Sequence, residues 1–487
     1  MPMTEWLMRF ADSDVPAYRC RQGILRYREL IAAARRVASL LSQTVPSGSP
    51  VGIYGHKELL MPVCIAACTL AGLPYLPIDR QIPSVRAERM LRLAGARLLL
   101  CAAAPPWTPP VPFLSSDKLE SAAFSPALSP AEPVRTAPDD PFYLLFTSGS
   151  SGEPKGIRIT RRNAASFLRW EQSLLGAGEG PVLNHAAFSF DLSVAALWFS
   201  FLNGRCDAEL ESELFGDFPA LFDAMDQSAP SLAVLTPSFA ELLLASPSFG
   251  ANRFPALGQF LFCGETLRPQ TVRRLKLRFP TAHIYNSYGP TETTVAVTGC
   301  ELTEVMLQQP LLPIGYAGTR SSITIRDPSS HVELPEGETG ELVVTGEQVA
   351  AGYLGEIQGG FCRIDSRPAY RTGDLGWQRD GLFYCRGRID RQLKWRGLRI
   401  EPEEIERCLL QCEGILQAAV VPVLQQGRVR RLRAFVVLSS GIHDPQSIKL
   451  QLRTLLPAGM IPDLTALPHL PLTSHGKCDY TALKELL

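Results

Sequence analysis

The stretch PFYLLFTSGSSGEPKGIRIT, Pro141 to Thr160, decides how the chain is read. Phe142 to Phe146 is a continuous apolar run, too unbroken for a half-exposed strand, and it predicts a strand in the middle of a buried parallel sheet. A polar loop follows at once. From Thr147 to Gly156 it carries three glycines, four hydroxyl residues and Lys155, so backbone N–H groups can approach an anion while hydroxyls and an ammonium complete the shell. Thr147, Ser148, Gly149, Ser150, Ser151, Gly152 and Lys155 are the candidate phosphate-holding residues. The spacing is not G-x-x-x-x-G-K-[ST], and a loop of this kind taken alone is equally a Gly/Ser surface turn.

Working outward, 487 residues exceed what one hydrophobic core serves, so two or more domains are expected, with 46% apolar residues to bury. Lys plus Arg and Asp plus Glu are both 48, so no global field favours nucleic acid or an anionic membrane, and any anion is held locally. The twelve cysteines contain no C-x-x-C pair. Cys64 with Cys68 and Cys408 with Cys412 fall on single helix faces, a spacing that suits core packing rather than zinc. The N-terminus lacks a basic segment followed by an apolar one, which together with the unpaired thiols predicts a cytoplasmic location. Leu59 to Ile78 is uncharged over nearly a membrane span, but Pro62, Gly72, Pro74 and Pro77 interrupt it. A buried helix and then a strand are expected, with the prolines marking a sheet edge.

Before the central stretch the pattern gives a helix, a hairpin around Gly23, a helix from Leu30, the strand PVGIYG and a helix–strand unit ending in ARLLLC. Proline-rich residues 102–141 read as a long surface connection. After it come a helix near Asn163 to Leu175, then a strand and an apolar helix with Asp191 where they meet. SLAVLTPSF and QFLFCGE each run from a buried strand into a loop, at Thr236 and Gly264. In open parallel sheets ligands sit outside the carboxyl ends of the strands, so these loops and Asp191 should face one crevice. Asp191 opening an apolar helix is either an N-cap or the counter-ion of a substrate ammonium. In IYNSYGPTETTVAVT, Tyr288 offers a flat face for a base, Thr291 a hydroxyl for phosphate and Glu292 a carboxylate for Mg²⁺, although an isolated YGPTE is only a turn. The last ninety or so residues read as a small α/β unit, with Lys477 on a polar loop where a solvated lysine is the plain alternative.

Together LRYREL, the phosphate loop, FSFDLSV, FLFCGE, YGPTETTVAVT, YRTGD, GRID and GKCDY resemble the acyl-adenylate-forming superfamily. Within it the chain is similar to the amino-acid adenylation domains that feed carrier proteins, and most of all to the D-alanyl carrier protein ligases. The resemblance implies an α/β protein: a large N-terminal domain, residues 1–389, of layered mostly parallel sheets with helices and a small β-subdomain, then a small mobile α+β domain, residues 390–487, hinged at Asp390. It implies ATP-dependent activation of an amino acid as its adenylate, with Mg²⁺ at Glu292, and transfer to the phosphopantetheine thiol of a separate carrier protein. Thr147, Lys155 and Lys477 would be catalytic; Gly264, Glu265, Asn286, Ser287, Tyr288, Gly289, Thr291, Asp374 and Arg388 would join the phosphate loop in holding ATP. Gly397 would lie by the thiol tunnel. By family position Asp191, Leu192, Ala195, Val234, Leu261, Cys263, Ser287, Val295 and Ala296 would form the substrate pocket, uncharged toward the side chain, which suits a small or medium neutral amino acid such as D-alanine. Gly459 and the Cys-Asp-Tyr after Lys477 depart from the common pattern. An acyl- or aryl-CoA synthetase of the same fold is the alternative, separated from the first reading by Asp191.

Overall fold

The computed structural model describes residues 3–125, 128–148, 154–355, 359–395, 398–425, 428–439, 445–472 and 478–487. Gly149, Ser150, Ser151, Gly152, Gly397 and Lys477 lie outside the described residues.

Two layered sheets enclose the main core. One has six strands in the order Phe113–Leu114, Leu98–Cys101, Val51–Gly55, Tyr75–Asp79, Pro141–Thr147, Lys155–Thr160. The other has nine, with Pro16–Cys20, Asp207–Glu209, Val182–Asn184, Leu232–Leu235, Gln259–Phe262 and His283–Tyr288 running parallel and antiparallel strands at both ends. The helices Leu60–Leu70 and Leu192–Asn203 are apolar all round and are buried all round save Asn203, as helices without a polar face must be. They share one core with residues of both sheets, and Cys64 and Cys68 pack into it. No helix among the described residues is long and apolar enough to cross a membrane.

A third, antiparallel sheet of five strands holds Ser321–Arg326, Gly340–Gly346, Arg367–Arg379, Phe361–Ile364 and Leu382–Arg388. Beyond it a two-stranded hairpin, Leu393–Trp395 with Leu398–Ile400, leads into a small unit. That unit has the helices Pro402–Leu410 and Pro445–Leu455 on three strands, Ile415–Gln425, Arg428–Leu438 and Asp463–Ala466. Ile400, Ile405, Leu409, Val420 and Leu432 belong to its own hydrophobic cluster, which is why it forms a body distinct from the rest.

Four expectations change. Phe142 to Phe146 does lie in a buried strand, which pairs in parallel with Tyr75–Asp79 on one side, but on the other Pro141–Thr147 runs antiparallel to Lys155–Thr160, so the chain after it returns as a strand before the next helix. A continuous apolar run marks burial on both faces and is silent on the direction of the neighbour. Tyr75–Asp79 is an interior strand, not an edge; Pro77 is tolerated where the ladder to Pro141–Thr147 is reduced to the pair Tyr75–Tyr143. Residues 102–141 contain a short strand and the helix Ser116–Phe124. The helix placed from Leu30 starts at Tyr27, because the Glu29 carboxylate accepts from the Arg26 N–H at 2.9 Å and caps it earlier.

Candidate active site

The carboxyl ends of Val182–Asn184, Leu232–Leu235, Gln259–Phe262 and His283–Tyr288 feed the loops that carry Asp191, Thr236, Cys263 and Thr291, so the parallel half of the nine-stranded sheet builds one wall of a crevice. The third sheet builds the facing wall. There Asp374 and Arg388 are cross-strand partners, and the Arg388 Nη1–H donates to Asp374 Oδ1 at 2.6 Å. The Tyr288 hydroxyl donates to Asp374 Oδ2 at 2.5 Å, and Arg388 also grips Asp390 through Nε and Nη2 at 2.6 and 2.8 Å. These groups line a cavity of about 490 Å³ between the large body and the small unit, a volume suited to a nucleotide. The Lys394 ammonium, from the hairpin, stands 5.5 Å from the Tyr288 ring centroid.

On the phosphate-loop side, Thr147 Oγ1 is buried without a partner, an orphaned hydroxyl of the kind a phosphate oxygen would satisfy. Ser148 is buried and donates its hydroxyl to the Arg399 carbonyl at 2.5 Å. The Lys155 ammonium lies 5.9 Å from the centroid of Tyr353.

Asp191 ends up as no N-cap hydrogen bonder. Its carboxylate is buried, with relative exposure 7%, and meets the Thr291 side chain. Burial pushes it up to about 6, against the hydrogen bond from Thr291 and the charge of Lys394. Asp191, Leu192, Cys263, Gly264, Thr291 and Val295 line a small cavity of about 40 Å³, also reached by Lys394 and Arg399. Burial pushes the Cys263 thiol up to about 11, so the thiol beside Asp191 is neutral. Ala195, Val234, Leu261 and Ala296 are buried in the same core behind that cavity. Thr294 and Val295 have φ of +60° and +67°, a left-handed conformation costly for β-branched residues, on the order of 1–3 kcal/mol each. Gln348 holds the turn: its carbonyl accepts from Thr294 Oγ1 at 2.7 Å and its side chain donates to the Ala296 carbonyl at 2.6 Å. Gly289 passes under this turn, where a Cβ would come within 2.7 Å of the Ala296 Cα.

Glu292 is fully buried and bound by groups that the sequence did not single out. Arg399 Nη1–H donates to its two oxygens at 2.7 and 2.6 Å, and the Tyr353 hydroxyl donates to Oε1 at 2.6 Å. Burial alone would raise Glu292; the Arg399 charge and these hydrogen bonds outweigh it and hold the carboxyl below the usual range. In this arrangement the carboxylate is saturated by a guanidinium and a phenol, so it does not fit a metal ion. Other expected nucleotide contacts use their side chains locally: Asn286 donates to the Pro313 carbonyl at 2.7 Å, Ser287 to the Phe262 carbonyl at 2.8 Å, and Glu265 accepts from the Ser238 N–H at 3.0 Å. Gly264, at φ +93°, keeps the turn after Cys263 open, with Phe190 where a Cβ would approach to 3.3 Å. Arg399, Lys394, Tyr353 and Gln348 escaped sequence reasoning; the one available signal was KWRGLRIE itself, three cations around a glycine next to an acidic helix start.

A crevice with paired ribose-sized and phosphate-sized polar walls, closed by a small separate unit, defines a nucleotide-using enzyme, and the chain belongs to the AMP-binding enzyme family: that family's model matches residues 7–354, and the AMP-binding enzyme C-terminal domain matches 404–477. It is a ligase of that family, and membership implies use of ATP. Among individual proteins it is 37% identical over 495 residues to the D-alanine–D-alanyl carrier protein ligase of Bacillus cereus (strain G9842), covering 98% of each chain. It matches that of Bacillus thuringiensis (strain Al Hakam) to the same degree. Its fold superimposes with a TM-score of 0.84 on a holo NRPS protein containing adenylation and PCP domains bound to a vinylsulfonamide inhibitor, at 27% identity over 100% of this chain and 84% of that one. A Vibrio cholerae adenylation domain in complex with glycyl-adenosine-5'-phosphate shares the fold, with TM-score 0.85, 22% identity and 99% and 97% coverage.

Proposed function

We propose that the protein activates a small or medium neutral amino acid, D-alanine first, as its adenylate and then loads it onto the phosphopantetheine thiol of a separate carrier protein. The substrate carboxylate attacks the α-phosphorus of ATP and pyrophosphate leaves; the carrier thiol then attacks the anhydride carbonyl and AMP leaves. Asp191 carries this reading. A buried carboxylate raised to about 6, with no cation bonded to it among the described residues, is stabilised by a cation at that place, which is what an amino-acid ammonium supplies and a simple acid does not. Tyr288 would stack the base, Asp374 would accept the ribose hydroxyls on its remaining lone pairs, and Thr147 with Lys155 and the rest of the loop would receive phosphate oxygens. Arg388 would stay with Asp374 as a second ribose or phosphate contact. Lys477 would bridge substrate carboxylate and ATP in the first step, and rotation about Asp390 would exchange it for the hairpin that carries Gly397. Glu292, held by Arg399 and Tyr353, does not fit the Mg²⁺ expected there, and no step here passes through the metal. Residues 1–389 and 390–487 are the two bodies proposed to move.

The test is ATP–pyrophosphate exchange across D- and L-amino acids and simple aliphatic and aromatic acids. Exchange with alanine and neutral neighbours and none with simple acids is expected; the reverse would make it a CoA-type synthetase.

A further inference from the structure

We infer that Lys57 is a positioning residue for the amino-acid pocket: its buried ammonium fixes the loop 185–190, which carries the chain into Asp191. The inference rests on the reading of Asp191 as the ammonium site and adds what sets its place. Lys57 follows the strand Val51–Gly55 of the six-stranded sheet, yet its side chain reaches across to the other sheet. The Lys57 Nζ donates to the Ala186 carbonyl at 2.5 Å and to Glu209 Oε2, and it stands 4.6 Å from the ring centroid of Phe188. Asn184 completes the grip: its Nδ2 donates to Glu209 Oε1 at 3.1 Å, and its Oδ1 accepts from the Ala186 N–H at 3.0 Å. Both backbone polar groups of Ala186 are thus held by one buried cluster. Phe188 also packs against Tyr18, ring centroids 6.4 Å apart, whose hydroxyl donates to the Lys57 carbonyl at 3.0 Å.

Stability does not explain the lysine. Lys57 is 2% exposed with Glu209 and Asp207 buried beside it, and a buried ion pair contributes little net stability against well-packed apolar residues of similar volume. The cluster is balanced as one pair: burial and the charge of Glu209 push Asp207 well above the usual carboxylate range, so Lys57 faces a single anion. What the ammonium adds is direction, since it ties a carbonyl, a carboxylate and a ring face to one point. The loop beyond Ala186 is short and closed. The Phe190 N–H donates to the Ala187 carbonyl at 2.9 Å, and the Phe190 carbonyl accepts from the Ser193 hydroxyl at 2.8 Å in the helix that Asp191 opens. Phe190 and Asp191 line the same small cavity. At the other end His185 bonds to the Val234 carbonyl and to Thr236 and stacks on Phe239, centroids 4.3 Å apart. The loop therefore spans two anchors, and the bond from Lys57 fixes the chain between them. Without it the buried Ala186 carbonyl lacks its lysine donor, and the chain shifts to find another. Tyr288, Asp374 and Arg388 take part in none of these bonds, so the nucleotide half of the crevice is spared.

The test uses the full chain in pyrophosphate exchange and compares KM for the amino acid that supports exchange best, D-alanine expected, with KM for ATP. In Lys57→Met/Glu209→Gln both charges leave together, so the protein should keep or exceed the wild-type midpoint in denaturant titration. In that variant the amino-acid KM should rise about ten- to a hundredfold, the scale on which a displaced binding group is felt, with KM for ATP changed less than about twofold. Phe188→Leu keeps the ion pair and most of the apolar volume and removes the ring face; it should raise the amino-acid KM about threefold with the same selectivity. A role confined to stability would instead shift the midpoint and lower the active fraction, leaving both KM values where they are. A folded double variant with an unchanged amino-acid KM, or one in which both KM values rise alike, overturns the inference and leaves the functional reading intact. Should the double variant not fold, Phe188→Leu decides in the same way. Exchange by wild type with no amino acid at all would remove the functional reading and this inference with it.

Discussion

Two buried carboxylates share the crevice and are held in opposite ways. Asp191 has no cation paired with it directly, and burial lifts it to about 6; Glu292 is equally buried and is held below the usual range by Arg399 and Tyr353. The Asp191 pocket takes a helix start and two strand ends from the large body, with Lys394 and Arg399 at its edge and neither bonded to the carboxylate. The Glu292 pocket is completed by Arg399 from the hairpin that leads into the small unit. A preformed pocket selects a substrate, whereas a shared pocket reports the position of a domain.

The largest expected effect separates these regions. Lys477→Ala should lower amino-acid-dependent pyrophosphate exchange by about 10²–10³-fold or more if, as proposed, this lysine supplies a cation to a charge-developing step. Transfer of a supplied aminoacyl-adenylate to a carrier should persist in that variant. Equal loss of both half-reactions would mean that the small unit does not alternate.

Next comes the preformed pocket. Asp191→Ala should cost about 3 to 5 kcal/mol in amino-acid activation, because the substrate ammonium is then buried unpaired. Stability should move the other way. Asp191 has its folded-state pKa raised above the unfolded value of 3.8, so its contribution is intact below that value and lost as pH rises through about 6. Asp191→Asn should accordingly stabilise the substrate-free protein by roughly 3 kcal/mol at pH 7 and by little at pH 4, read by denaturant titration. Glu292 has the opposite sign: its lowered pKa stabilises above the unfolded value, so Glu292→Gln should destabilise at pH 7. Variants that shift stability in the same direction would erase the distinction between the pockets.

The sequence exposed the two pockets unequally, for a physical reason. Asp191, Thr291, Tyr288 and Cys263 sit at strand ends or helix starts, where apolar runs break into polar loops, and such breaks are visible locally. Arg399 is one of three cations in a short segment, LKWRGLRI, which reads as a solvated edge until the small unit is folded against the large one. Tyr353 and Gln348 lie in a stretch with glycine turns, and their partners are 61 and 52 residues away. Nothing local encodes a hydrogen bond across that distance. The strand Lys155–Thr160 is masked in the sequence by the loop before it: glycines, hydroxyls and a lysine point to phosphate, although a glycine-rich polar segment between two strand-like runs is also how a hairpin is written.

A smaller effect sharpens the electrostatic side. Asp191 must be ionised to hold an ammonium, so kcat/KM for the amino acid should fall about tenfold per pH unit below about 6 and level off above it. The ATP dependence, governed by groups other than Asp191, should not share that break. A profile for the amino acid without a break near 6 would show that Asp191 is not the ammonium site.

The smallest effect tests how deep the preformed pocket is. Ala195 stands one helical turn beyond Asp191, on the same helix face, and is buried with relative exposure 1%. On the proposed reading, an alanine there would leave room below Asp191 for the substrate side chain. Methionine adds flexible, adaptable volume that should extend into the small cavity, although a core this tightly packed resists it at a cost of about 1–3 kcal/mol. Ala195→Met should therefore suppress valine and leucine relative to alanine by about tenfold, the scale on which single methylenes are discriminated. D- and L-alanine should keep their ratio, because the ammonium site is untouched. Exchange rates for D- and L-alanine, 2-aminobutyrate, valine and leucine in both proteins decide it. An unchanged ranking would mean that the side-chain pocket lies elsewhere along the wall, toward Cys263 and Val295, and that the helix contributes only Asp191.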